Sequence, residues 1–336
     1  MMRNIRFALA VAVAGTVLLA GCAQDTSVPE PQAAAGVSNI LPEGKYAEIA
    51  SAVASALEQA DQTRDVGALG DRISGPLRTQ REAEYQLAKI TQSTSPTSIL
   101  LNPQEVTVSS GTEFPRTVMA VDTTDTSRGI GTIAVWTQST ARQNYSLWAV
   151  VDMFPAPPKI DIVNKQNNDE GYLSENSADY RIDPTTVLDA YATYATNRAL
   201  GDVPFKEGDP LYEQTQKQEQ ALTTDLKELG SAKTTFSVPN KDIRAVSTKD
   251  GGLVVVGEIR YDTTVSRTKD TAKLKLGSNI GALAEGKQDG VVEVDNPVVA
   301  QYSTSVAFYI PPKDSSEPIQ LIGASVPALL SVVKAG

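Results

Sequence analysis

A chain of 336 residues with 40 acidic and 30 basic side chains, one cysteine and no histidine excludes much before any motif is read. It cannot build a Ser-His-Asp triad, a Cys-His pair, a His-ligated metal or haem site, or an internal disulfide. The acidic balance also argues against nucleic acid as a partner, because phosphate binding needs clustered lysine and arginine.

In chain order, Arg3 and Arg6 precede an apolar run from Phe7 to Ala20 that is too short to span a bilayer comfortably. Leu19-Ala20-Gly21-Cys22 closes the run with small residues before a cysteine, where a diacylglycerol attaches to sulfur and the signal is cut. This is a bacterial lipobox. It predicts a signal peptide over 1–21, then a lipidated Cys22 and a flexible tether over 22–44 that contains Pro29, Pro31 and Pro42. Loss of Arg3 and Arg6 with the signal takes the basic count from 30 to 28 against 40 acids, a net charge of −12. Acyl chains contribute about 0.8 kcal/mol per buried CH₂, so such an anchor needs no transmembrane helix beside it. The expected location is extracytoplasmic, with the membrane as a partner through Cys22.

Tyr46, Ile49, Val53, Ala56, Leu57 and Ala60 recur at helical spacing and predict an amphipathic helix of about five turns. Residues 65–75 are turn-like, and Pro76 opens a second helix to about Lys89. From Glu105 the period becomes strand-like, with strands expected at 106–108, 117–121, 132–137 and 146–153. Asn164 to Gly171 is polar throughout and reads as a linker.

The order then recurs. Asp183 and Pro184 start a helix marked by Val187, Leu188, Tyr191, Tyr194 and Ala195, and Pro210 opens another. Strands are expected at 234–238, 253–261, 272–276 and 301–310, with a hairpin turn at Asp250-Gly251-Gly252. Residues 318–333, interrupted by Gly323, Pro327 and two serines, predict a final strand and a short helix. The halves align without a gap at an offset of 134: Val53 with Val187, Arg64 with Arg198, Gly67 with Gly201 and Pro76 with Pro210. The expectation is a first α+β domain over 45–163, a linker over 164–182 and a second α+β domain over 183–336.

Helices followed by an antiparallel meander in roughly 130 residues resemble the cystatin-like cone of nuclear transport factor two-like domains. The resemblance implies two cystatin-like domains, each with N-terminal helices packed on a curved antiparallel sheet. Phe114-Pro115-Arg116-Thr117, Thr137-Gln138, Tyr145-Ser146-Leu147-Trp148 and Phe154-Pro155 resemble an actinobacterial lipoprotein family known only as a domain of unknown function. The second half lacks counterparts of these words, so a pocket built from them would belong to the first domain.

Other motifs carry less. Gly129-Ile130-Gly131-Thr132-Ile133-Ala134 leads into strand residues, whereas a dinucleotide fingerprint requires a helix there. Ser331-Val332-Val333-Lys334 has S-x-x-K spacing without its companion motifs. A calcium loop ending at Ser177 lacks its bidentate Glu. No cofactor, metal site or catalytic residue is expected.

Arg116, Trp136, Tyr145, Trp148 and Asp152 form the most suggestive cluster, able to hold a sugar or acyl chain on a concave face or to serve as core. The functional expectation is a non-enzymatic ligand-binding or scaffolding accessory of the cell envelope, with an envelope protein or a small-molecule or glycolipid ligand as partner. The alternatives are a carboxylate-dependent enzyme acting on a glycan, needing two acids about 5–10 Å apart, and a lipid or glycolipid carrier.

Overall fold

The computed structural model describes residues 41, 44–92, 96, 99, 101, 105–108, 114–122, 131–155, 157 and 177–335. The signal, Cys22, most of the tether and the polar linker from 164 to 176 lie outside them. Two helices, α1 (Lys45–Thr63) and α2 (Gly75–Thr91), precede β1 (Glu105–Val108), β2 (Arg116–Asp122), β3 (Thr132–Gln138) and β4 (Ser146–Met153). Then come α3 (Val187–Asn197), α4 (Pro210–Leu226), β5 (Gly230–Ser237), β6 (Ile243–Ser247) and β7 (Leu253–Arg267). The chain ends with β8 (Lys275–Leu276), α5 (Ser278–Glu285), β9 (Val292–Glu293), β10 (Val298–Ile310), β11 (Gln320–Ala324) and β12 (Ala328–Lys334).

The α+β character holds, but the expectation of two cystatin-like domains does not. Ten strands from both halves form one sheet, with a path β1-β2-β3-β4-β11-β10-β7-β5 on which β12 also pairs with β10 and β6 with β7. Helices are dispersed along this sheet, and the second sheet among the described residues is only the two-stranded pair β8–β9, so the halves do not each wrap a sheet of their own on a helix. The physical reason lies in β7 and β10, which pair antiparallel from Val298↔Val265 to Ile310↔Leu253. At about 3.4 Å per residue, the 15 residues of β7 span about 50 Å, long enough to serve two sets of neighbours. One end of the ribbon is flanked by β6 and β11, and the other by β5 and β12.

Burial along β7 records this change of neighbours. Leu253 to Ile259 is buried without a break, so both faces are covered, and beyond it buried and half-buried residues alternate. Leu253, Val255 and Ile259 join a cluster with Leu188 and Tyr191 of α3. Val254 and Val256 face the other way, into a cluster shared with Met119, Ile133, Val135 and Val151 of β2–β4. The opposite face of β2–β4 packs Val118, Ala134 and Trp136 against Ile49, Val53 and Leu57 of α1 and Leu77 and Tyr85 of α2. Only two register pairs, Met153↔Gly323 and Asp152↔Ala324, join β4 to β11. Gly323 is required there, since a Cβ would come within 2.5 Å of the Asp152 carbonyl oxygen.

Helix α2 ties the halves together. It contacts β4 of its own half and β10, β12 and α5 of the other. Gln80 Nε2 donates to Ser303 Oγ and Ser305 Oγ at 3.3 and 3.2 Å, Ser303 Oγ donates to Glu258 Oε1 at 2.9 Å, and Arg260 Nε donates to the same oxygen at 2.8 Å. Gln80, Glu258, Ser303 and Ser305 are all buried. Such a network is worth keeping only when its members stay paired.

The 134-residue offset reappears in the helix ends. α1 ends at Thr63 and α3 at Asn197, and each is closed by a left-handed arginine, Arg64 or Arg198. Arg64 donates to the Ala88 carbonyl of α2, and Arg198 pairs with Glu219 of α4. Glu219 has a second task. The outer N–H groups of edge strand β5 at Ala232, Thr234 and Phe236 are taken up by Thr223, Glu219 and Thr196. These side chains block that edge from pairing with another strand.

Element differences are local. Asp183 caps a short 3₁₀ turn over Pro184–Thr186 that leads into α3. The segment 318–333 holds β11 and β12 and no helix, and only Lys275 and Leu276 of the expected 272–276 strand are paired. Strand β6 and helix α5 lacked a sequence expectation.

Gln80→Ala is expected to lower unfolding free energy by about 1–3 kcal/mol, the cost of buried hydroxyls losing their partner. Urea denaturation measures this, and a loss below about 0.5 kcal/mol would contradict the tie.

Candidate functional site

The structure divides the five residues of the sequence cluster. Trp136 belongs to the α1-side cluster and meets Tyr46 edge-on at 5.6 Å. Trp148 belongs to the opposite cluster, because a register shift beside Trp136 changes the phase of the β3–β4 pairing. Its ring lies against Gly75, where an added Cβ would sit 2.3 Å away and φ is +57°. Arg244 of β6 covers the ring at 4.7 Å. The two tryptophans are therefore on different faces and are both buried.

Arg116 and Asp152 are also apart. Arg116 pairs with Gln138 at one end of the meander, and Asp152 pairs with Thr132 at the other. Those positions are six residue steps apart along β3, about 20 Å of strand. Asp152 is thus remote from the group formed by Arg116, Trp136 and Tyr145.

That remaining group has an unusual hydrogen-bond balance. Arg116 Nε, Trp136 Nε1 and Tyr145 Oη are buried atoms without a hydrogen-bond partner among the described residues, as is Gln138 Oε1 beside them. Most buried polar groups in folded proteins are paired, so several orphans in one neighbourhood call for an explanation. Arg116 lies over the Phe114 ring at 4.5 Å and follows the cis Phe114–Pro115 bond. Burial raises the Tyr145 phenol above its ordinary pKa, while the adjacent Arg116 guanidinium partly draws it back. No hydrogen bond of normal geometry joins that pair. Tyr145 therefore remains a neutral O–H donor at physiological pH, beside the fixed positive charge of Arg116.

A second feature lies beyond the end of β4, where residues of both halves meet. A cleft of about 250 Å³ is lined by Phe154, Pro155, Lys206, Glu207, Asp209 and Gln320, among others. Asp209 caps α4: its Oδ1 accepts from Tyr212 N at 2.9 Å and from Tyr191 Oη at 2.8 Å. Burial pushes its carboxyl above the ordinary aspartate range, with those donors opposing the shift. Sequence reasoning missed Asp209. The available signal was an Asp directly before the helix-opening Pro210.

The remaining motifs resolve simply. Thr132 to Ala134 continue as strand, whereas Gly129 and Ile130 lie outside the described residues. Ser331 to Lys334 is the end of β12, with Lys334 paired to Asp295. Among the described residues no group of three or more Cys, Asp or Glu is placed to hold a metal ion, and no helix is long and apolar enough to cross a membrane. Comparison of the chain with protein-family models, curated proteins and solved structures finds no match.

Tyr145→Phe is expected to leave stability unchanged or raise it by about 1 kcal/mol in the isolated protein, since it deletes a desolvated hydroxyl without a partner. A loss of more than about 1 kcal/mol in urea denaturation would contradict the orphan reading.

Proposed function

We propose that the chain is a lipid-anchored, extracytoplasmic, non-enzymatic accessory of the cell envelope that binds an acceptor-rich, anionic ligand at the Arg116 end of the meander. The observation that carries the binding role is the set of unpaired donors on Arg116, Trp136 and Tyr145. A guanidinium, an indole N–H and a neutral phenol together match a carboxylate or phosphate oxygen cluster. The sequence Leu19-Ala20-Gly21-Cys22 supplies the address, and the proline-bearing tether supplies reach from the membrane. The words around Phe114, Thr137, Tyr145 and Phe154 support membership of the actinobacterial lipoprotein family they resemble.

Two experiments test these roles separately. Cys22→Ser should leave the protein unlipidated, with residues 1–21 still attached by intact-mass measurement, and release from washed membranes by chelators or salt plays no part. A lipidated C22S product, or normal processing, would remove the anchor. For binding, native mass spectrometry of the body purified from its own membranes should show a retained small anion. Arg116→Gln should arrive bare, and a bare wild-type protein would overturn the ligand role.

A further inference from the structure

We propose that the cleft between Phe154-Pro155, Lys206–Asp209 and Gln320–Ile322 is a second site, one that binds a single neutral saccharide unit. Three observations define it. Asp209 is only 7 % exposed, lines the cleft, and its Oδ2 has no hydrogen-bond partner among the described residues. Lys206 and Gln320 meet on another part of the wall, with Nζ 3.3 Å from Oε1. Phe154, Pro155 and Leu321 add apolar surface to the same cleft.

Charge narrows the ligand. Asp209 and Glu207 oppose a simple anion, whereas Lys206 opposes a simple cation. A polyol satisfies both, because each hydroxyl donates to a carboxylate oxygen and accepts from an ammonium or amide. Its ring carries C–H faces suited to the proline and phenyl surfaces. Size points the same way: at about 250 Å³ the cleft is just below the roughly 300–1,000 Å³ typical of drug-sized ligands. In the bound arrangement a sugar hydroxyl donates to Asp209 Oδ2 while Lys206 donates to a neighbouring oxygen. The helix-capping bonds through Oδ1 are undisturbed. This site stands apart from the Arg116 donors and does not depend on them or on the lipid anchor.

The test is saturation-transfer NMR on the full chain carrying Cys22→Ser, with methyl glycosides of glucose, mannose and galactose, and N-acetylglucosamine, as probes, and alanine as a zwitterionic control. At least one should receive saturation. Asp209→Asn and Lys206→Met should each weaken that binding about tenfold or more, the scale of a lost charge-assisted hydrogen bond. Asn caps helices as well as Asp, so Asp209→Asn is expected to fold, and the exposed Lys206 provides a second, fold-neutral variant. Transfer to none of the four sugars would overturn the proposal. So would transfer to alanine alone, which would mark a zwitterion site, or unchanged sugar affinity in a variant with the wild-type urea midpoint.

Discussion

Thirteen consecutive register pairs between β7 and β10 are the constraint on which the remaining structure depends. Hydrogen bonding along so long a ribbon fixes the positions of four further strands, two on each outer edge. Side-chain alternation then decides what can cover each face. Val255, Ile259 and Phe308 point toward α3, and Val254, Val256 and Ala307 point toward β2–β4. A strand pair apolar on both faces cannot form the surface of an independent domain. It needs a layer on each side, and the N-terminal half of the chain supplies one of them.

Where the β2–β4 layer ends, the same ribbon face becomes polar, with Glu258, Arg260, Ser303 and Ser305 replacing the valines. Helix α2 covers this stretch with Gln80, whose amide can donate twice to the serine hydroxyls. Leu77 and Tyr85 of the same helix belong to the core with α1. The helix thus meets an apolar neighbour through those residues and a hydroxyl row through Gln80. Tyr85 adds a polar link of its own, donating to Asp61 of α1 at 2.6 Å. Burial and that carboxylate hold its phenol well above the ordinary tyrosine range. Tyr191 and Tyr261 are raised mainly by burial too. Because these phenols bind their protons more tightly when folded, their contribution is complete below about pH 10 and falls as the pH rises beyond it.

Local patterns in the sequence were informative where one face is buried and the other wet. The stripe Ile49, Val53, Leu57 and Ala60 identifies α1, Pro76 and Pro210 mark the two helix starts, and residues 146–153 match β4 from end to end. Partner choice was not legible. Nothing in Leu253–Tyr261 states that the strand continues to Arg267 or that its second face is covered by residues more than a hundred positions earlier. The repeat in the helices encouraged a division that the sheet does not respect. At the candidate site, the grouping of Arg116, Trp136 and Tyr145 followed from neighbouring strands. The register shift that sends Trp148 to the other face is a property of pairing geometry and leaves no compositional trace.

A single sheet with shared layers makes a specific claim about cooperativity, and the chain contains its own reporters. Both tryptophans, Trp136 and Trp148, lie in the N-terminal half, while the packed ring cluster of Tyr191, Tyr194, Phe205 and Tyr212 lies in the C-terminal half. Equilibrium urea unfolding is followed in parallel by tryptophan fluorescence, which reads the N-terminal half alone, and by tyrosine near-ultraviolet circular dichroism, which is weighted toward the C-terminal half through Tyr191, Tyr194, Tyr212, Tyr261, Tyr302 and Tyr309. One cooperative unit predicts coincident transitions with the same midpoint and slope. Two resolved midpoints, with the tryptophan signal changing while the tyrosine signal stays native or the reverse, would contradict it.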